Sequence, residues 1–195
     1  MALALTTICI VCAALLGWVY SATKGPIEAS NLEKVNEGIR EVLPEFDNNP
    51  YEQRMKLDGG EMYPATLGGI PSGYAVKVST SGFGGALVMM VGFTPDGTIY
   101  NTSVISHSET PGLGAKISDA QIAPRVQVIG KNPGVSPVKV KNDKGDIDAI
   151  TASTITSRAF LKGINEAYAV LRQAVPESVP AEPATSETNG NESQE

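Results

Sequence analysis

The sequence predicts an α+β fold, a single domain of antiparallel strands and flanking helices preceded by one N-terminal transmembrane helix. Three features carry that expectation. Residues 1–23 contain no charged side chain. Strand patterns at 74–79, 86–94 and 98–105 follow one another, the last two joined by Pro95-Asp96-Gly97, where Pro presets the first turn dihedral and Gly accepts a positive one. Phe160, Ile164, Ala167, Tyr168 and Leu171 then recur at helical spacing, so the order is helix, strands, closing helix. At 195 residues with 42% hydrophobic content, the chain can bury one domain of ordinary size plus appendages.

Residues 2–20 are dominated by Ala, Leu, Ile and Val. As a helix they cover about 28 Å, close to the ~30 Å hydrocarbon core of a bilayer. Trp18 and Tyr20 stand at the C-terminal edge, where aromatic rings favour the interface. A cleaved signal peptide is the rival reading. Against it, no basic region precedes the apolar run, Val19-Tyr20-Ser21-Ala22 is a poor small-x-small site, and Val11 before Cys12 spoils a lipobox. Residues 1–23 are therefore read as a retained single-pass anchor, with membrane lipid as its surroundings. Cys9 and Cys12 share a helix face but lack further ligands, so they read as small apolar residues and no metal site is expected. The net charge of -6, without a basic run, excludes nucleic acid as a partner.

Gly25-Pro26 is expected to end the anchor. Ser30-x-x-Glu33 then has the pattern of a capping box opening an amphipathic helix with Leu32, Val35, Ile39 and Val42, stopped by Pro44, so that residues 24–46 join anchor to domain. The domain is expected over 47–175. Its first part, 47–72, is rich in Gly and Pro and reads as irregular. Gly82-x-Gly84-Gly85 is followed by a strand rather than a helix and fails the context of a dinucleotide fingerprint. Further on, 115–124 reads as a short helix, 126–129 and 138–141 as strands, and 142–145 as a turn into a strand ending near Asp148. Residues 176–195 have the composition of a disordered acidic tail.

Two stretches carry chemistry. The first is Asp148-Ala149-Ile150-Thr151-Ala152-Ser153-Thr154-Ile155-Thr156-Ser157, five hydroxyls in seven residues where a helix begins. Such a run serves either as a cap or as an anion site, because the first helical N–H groups lack partners and carry the positive end of the dipole. The second is His107-Ser108-Glu109-Thr110-Pro111-Gly112-Leu113-Gly114, in which three breakers within four residues force a close bend beside polar side chains. It is either a connector or part of a site.

Asp148-x-x-Thr151-Ala152-Ser153-Thr154 resembles the Asp-x-x-Ser/Thr-Gly-Ala-Thr flavinylation motif of a bacterial family. The family contains the G subunit of the Rnf ion-translocating electron-transport complex and the C subunit of the sodium-translocating NADH:quinone reductase. The second stretch is similar to its Glu-Thr-Pro-Gly-Leu-Gly segment, in the same order. The departure is Ala152-Ser153 where Gly-Ala is usual. The resemblance implies FMN esterified through its phosphate to Thr154, with Thr151, Ala152, Ser153 and Thr156 around the attachment. It implies that Glu109, Thr110, Pro111, Gly112, Leu113 and Gly114 lie against the flavin. It further implies a single-electron relay with no catalytic residue of its own, other membrane subunits of an Rnf-type complex as partners, and a separate flavin transferase that uses FAD with magnesium.

The family holds its domain on the extracytoplasmic (periplasmic) side of the bacterial inner membrane. A bare charge count, with Lys24 after the anchor and no cation before it, would place the domain in the cytoplasm. The family's short basic leader is missing here, which leads to the expectation of a late start or a lost leader. Compactness favours the Rnf type over the quinone reductase. Lys116 and Arg158 are candidates to supplement the phosphate site. A Ser or Thr hydrolase using His107, the only histidine, lacks a Gly-x-Ser-x-Gly elbow, and a structural module without cofactor is the remaining alternative.

Overall fold

Alternation along the strands decides the architecture in the computed structural model, which describes residues 2–175. Successive strand side chains face opposite ways, and here both faces are apolar. Met62, Val76, Val78, Leu87, Met89 and Val91 point into one core, and Tyr63, Ala75 and Met90 into another. A sheet of this kind needs a cover on each side.

Helix α1 (Ala2–Val42) supplies one cover with its C-terminal end, where Val35, Ile39 and Val42 recur at helical spacing and are buried. The other cover is the closing helix, α3 (Thr154–Ala174), which buries Phe160, Leu161, Ile164, Ala167, Tyr168 and Leu171. Between them lies an antiparallel meander in chain order: β1 (Met55–Leu57), β2 (Gly60–Leu67), β3 (Ile70–Ser81), β4 (Ala86–Phe93) and β5 (Ile99–His107). After β5 come a 3-10 turn at Gly114–Ser118, the short helix α2 (Ala123–Val128) and a second 3-10 turn at Lys141–Asp143.

The strands expected at 74–79, 86–94 and 98–105 are β3, β4 and β5. Other expectations are corrected. Gly25-Pro26 does not end the first helix: α1 runs unbroken through Pro26. Proline there forfeits one helical hydrogen bond, at about 3 kcal/mol, and the helical bonds on both sides carry the element through. Ser30 is accordingly interior to α1 and opens no helix. The stretch 47–72 is not irregular, since β1, β2 and the start of β3 fall within it. Pro64 hides the strand, but β1 pairs only with Gly60–Met62, so Pro64 sits where that edge of β2 is open and loses no ladder bond to β1. Residues 126–129 form no strand because helix α2, with Pro124 in its first turn, takes 126–128 and leaves Ile129 as its C-cap. Residues 138–141 and the approach to Asp148 make only an isolated parallel bridge, Val140 with Ile147. The acidic tail lies outside the described residues.

Helix α1 and the rest of the domain are tied by a buried cation. Arg125 of α2 is 4% exposed. Its guanidinium donates to Glu41 Oε1 at 2.9 Å, to Ser118 O at 2.9 Å and to the carbonyl of Thr102 on β5. Glu41, one residue before the end of α1, also accepts from Ser103 Oγ. α1 is long and apolar enough to cross a membrane, so this network links its far end to the sheet. Removing Glu41 would leave a buried guanidinium short of its counter-charge. Glu41→Ala is expected to destabilise the chain by about 2 kcal/mol, discounted for the partial exposure of Glu41. The check is thermal unfolding of the full chain in detergent, and an unchanged midpoint would show that the pair contributes nothing.

Candidate functional site

Three segments meet at one carboxylate. Glu109, in the loop after β5, is 6% exposed. Its Oε1 accepts the Phe83 backbone N–H at 2.8 Å, and its Oε2 accepts the Thr156 hydroxyl at 2.8 Å. The β3–β4 loop, the 107–114 loop and the first turn of α3 are thereby pinned together. Crowding at this point requires glycine: a Cβ on Gly114 would lie 2.4 Å from Glu109 Oε2. Immediately before it the chain turns at Thr110-Pro111-Gly112-Leu113, with Leu113 N–H donating to Thr110 O at 3.2 Å. Gly112 takes φ +78° there. Pro then Gly at the two central positions is the sequence of a type II turn.

The approach to α3 is built just as tightly. Asp148 N–H donates to Gln127 Oε1 at 2.6 Å, while Gln127 Nε2 donates back to Asp148 Oδ2 at 2.8 Å. Lys141 Nζ lies 2.7 Å from Asp148 Oδ1. The hydrogen bonds from Lys141 and Gln127 hold this solvent-facing carboxyl below its ordinary range, so it is ionised at neutral pH. Asp148 thus fixes the segment entering the hydroxyl run. Ser157 then closes the turn, with Oγ accepting from Ile150 N–H at 2.9 Å and donating to Ser153 O at 3.1 Å.

The five hydroxyls have separate fates. Ser157 and Thr156 are buried and consumed by the bonds just given. Thr151 is exposed and stands off the cleft described next. Ser153 occupies the N-cap position but makes no capping bond through its side chain. Thr154 is the first residue of α3, half-buried, and its hydroxyl has no side-chain hydrogen bond among the described residues. The helix starts at Thr154, so three of the five hydroxyls, those of Thr154, Thr156 and Ser157, fall in its first turn. The leading amides of α3 are left without a side-chain cap, the condition under which a helix start holds an anion.

Thr154 opens on a cleft of about 430 Å³ whose polar wall is Glu109, Thr110, Ser153, Thr154 and Thr156. Ala152, Gly114 and the apolar Leu113, Ile155 and Phe83 complete it. The predicted positions Thr151, Pro111 and Gly112 do not line it. Neither do Lys116, which is exposed, and Arg158, which is bound to Asp143 by bonds of 2.8 and 2.7 Å. His107 faces none of the five hydroxyls in a hydrogen bond; its Nδ1 accepts Glu109 N–H at 3.2 Å. Phe83, at 69% exposure, and Ile155 are the wall residues that sequence reasoning missed. The available signal was an aromatic residue between the glycines of a hairpin loop.

A model of the FMN-binding domain family matches residues 82–169, which includes every wall of this cleft. The G subunit of the proton-translocating ferredoxin:NAD(+) oxidoreductase complex from Clostridium ljungdahlii is 33% identical over 164 residues, covering 84% of this chain and 85% of that protein. The chain belongs to the G-subunit family of ion-translocating oxidoreductase complexes. The G subunit of the Na(+)-translocating ferredoxin:NAD(+) oxidoreductase complex from Acetobacterium woodii is 34% identical over 181 residues, 84% of this chain and 86% of that protein. Among solved structures, the C subunit of the Na(+)-translocating NADH-quinone reductase from Parabacteroides distasonis is similar over 69% of this chain and 79% of that one, at 20% identity and TM-score 0.49. The chain is therefore an FMN-binding, electron-carrying subunit of a membrane-bound ion-translocating oxidoreductase.

The residues present fit FMN. The cleft volume is in the range of small-molecule sites. It combines apolar walls suited to a ring with an uncapped helix start suited to a phosphate, and no lysine or arginine lines it, so the helix end is the feature that would meet a negative charge. Ala152, where the family usually has glycine, has φ +61°. That is the left-handed region, unfavourable for a residue with a Cβ by about 1 kcal/mol. Ala152→Gly is expected to raise stability by about that amount, less the added entropy of a glycine in the unfolded chain. Denaturant midpoints of the two proteins check this, and a lower midpoint for the variant would show that the conformation carries no strain.

Proposed function

We propose that FMN is covalently attached to Thr154 by a phosphoester and that the loaded chain relays electrons within an Rnf-type complex. The observation that carries the reading is the Thr154 hydroxyl: it stands on the cleft wall, at the first residue of α3, half-exposed and without a hydrogen-bond partner among the described residues. Thr156 and Ser157, further along the same turn, are already engaged. In the attachment step Thr154 Oγ forms a bond to the phosphorus of the FMN half of FAD, AMP leaves as the phosphoanhydride bond breaks, and the hydroxyl proton is released. A flavin transferase is the enzyme for that step, and this chain is its substrate.

When bound, FMN supplies the redox chemistry, accepting electrons and passing them on. The chain supplies the setting. The uncapped amides of α3 stabilise the phosphodiester charge. Phe83, Leu113 and Ile155 give the ring apolar contact and exclude water from part of it. Thr110 and Ser153 offer polar contacts at the rim, and Glu109 keeps the walls in register. The G-subunit relatives favour an Rnf-type complex, with its other membrane subunits as partners, over the quinone reductase. By family resemblance the domain lies on the extracytoplasmic side, where a tethered flavin cannot be lost to a compartment that does not replace it.

Thr154→Ala tests the attachment. Co-expressed with a flavin transferase, the native chain is expected to give a polypeptide band that fluoresces as flavin after denaturation, and the variant none. Because the Thr154 hydroxyl bonds to no side chain or carbonyl among the described residues, the variant should unfold within about 0.5 kcal/mol of the native protein. Covalent flavin retained at native stoichiometry in Thr154→Ala would move the site to another hydroxyl.

A further inference from the structure

Thr23 is the last residue of the uncharged run and Val35 the first α1 side chain buried against the sheet. The described side chains between them are exposed, and three of these residues, Ala29, Asn31 and Leu32, form one side of a groove of about 540 Å³. The opposite side comes from the turn before β1, Tyr51 and Arg54, and from the sheet, Lys56, Glu61, Tyr63 and Lys77. The groove is thus at the end of the domain that faces the membrane. At 1.5 Å per residue, Ala29 is about 9 Å and Leu32 about 13 Å beyond Thr23. The headgroup layer occupies roughly the first 5–7 Å outside the hydrocarbon. The groove therefore stands just outside the headgroups, its nearest residue within a screening length of about 8 Å at physiological salt.

Its charge is of one sign in excess. Three cations face a single carboxylate, in a chain whose net charge is -6. Glu61 accepts on one oxygen, Oε2, from Tyr63 Oη at 2.8 Å and from Lys77 Nζ at 3.1 Å, so its charge is set against Lys77 and not against Arg54 or Lys56 in an ion pair. Arg54 lies over the Tyr51 ring at 4.4 Å and uses Nη1 on Tyr51 O, which leaves the rest of its guanidinium fork open. Lys56 is exposed and in no ion pair among the described residues. Leu32 and the Tyr51 ring give an apolar floor between these cations and α1.

We propose that this groove binds the phosphodiester headgroup of an anionic phospholipid in the membrane that α1 spans, with Arg54 and Lys56 as the phosphate ligands. A guanidinium with open donors and an ammonium outside any ion pair suit a phosphate. Together with the Glu41–Arg125 link, the contact holds the sheet at a set height and tilt over the bilayer. The inference rests on α1 as an anchor and is independent of flavin attachment.

The test uses the full chain in nanodiscs, either of phosphatidylcholine alone or with about one-third phosphatidylglycerol, read by hydrogen exchange over residues 51–57. Exchange is expected to slow by about fivefold in the anionic discs, and the effect to vanish in high salt and in Arg54→Gln/Lys56→Gln. Unchanged protection in that double variant, folded as judged by its melting point, would overturn the assignment to these residues. So would Lys56→Gln alone behaving as native if the double variant does not fold. Equal exchange in both disc types would overturn the proposal. Equal protection from soluble glycerol phosphate added to phosphatidylcholine discs would also overturn it, by making the groove a free-phosphate site rather than a lipid site.

Discussion

The cleft depends on a buried carboxylate that accepts from two directions at once. A buried charge is costly unless its acceptors are filled, and Glu109 is filled by Phe83 N–H on one oxygen and by the Thr156 hydroxyl on the other. Neither donor is near Glu109 in sequence, so the carboxylate joins two loops and the first turn of α3 into one wall. Gly114 exists where it does because the chain must pass beside that carboxylate. The hydroxyl of Thr156 is thereby used for structure, and that of Thr154, two residues earlier on α3, is left to face the cleft.

A second constraint sets where the cleft can be. The sheet is apolar on both faces, so α3 and the end of α1 cover opposite sides of it. α1 joins a segment long and apolar enough to cross a membrane to one that covers the core, without a break between them. The Arg125–Glu41 network fastens the junction. For an electron carrier this matters because transfer is sensitive to distance, and a domain fastened to its own first helix holds its position along that helix better than one on a loose linker.

Much of this is legible in the residues, and the rest is concealed for identifiable reasons. The central strands are visible because alternation and the Pro95-Asp96-Gly97 turn agree. β2 is concealed by Pro64, whose place at an open edge no local pattern reveals. The unbroken α1 is concealed by Gly25-Pro26, which break most helices but not one held on both sides by long bonded segments. Thr154 and the Glu109 loop stand out as motifs, yet their contact through Thr156 is a tertiary fact joining positions 47 apart. Phe83 is hidden because its flanking glycines invite comparison with a nucleotide motif, when their role is to form a bend that exposes an aromatic ring. The left-handed backbone at Ala152 gives a physical reason for the family's glycine that the sequence presents only as an exchange of small residues.

The central claim is a single bond between Thr154 and a phosphate, and mass spectrometry of the chain isolated from its own cells tests it most directly. The account predicts that the peptide containing Thr154 carries the mass of FMN less one water, with fragment ions assigning the increment to that residue. A peptide recovered wholly unmodified, or modified at Ser153 or Thr151 instead, would contradict it.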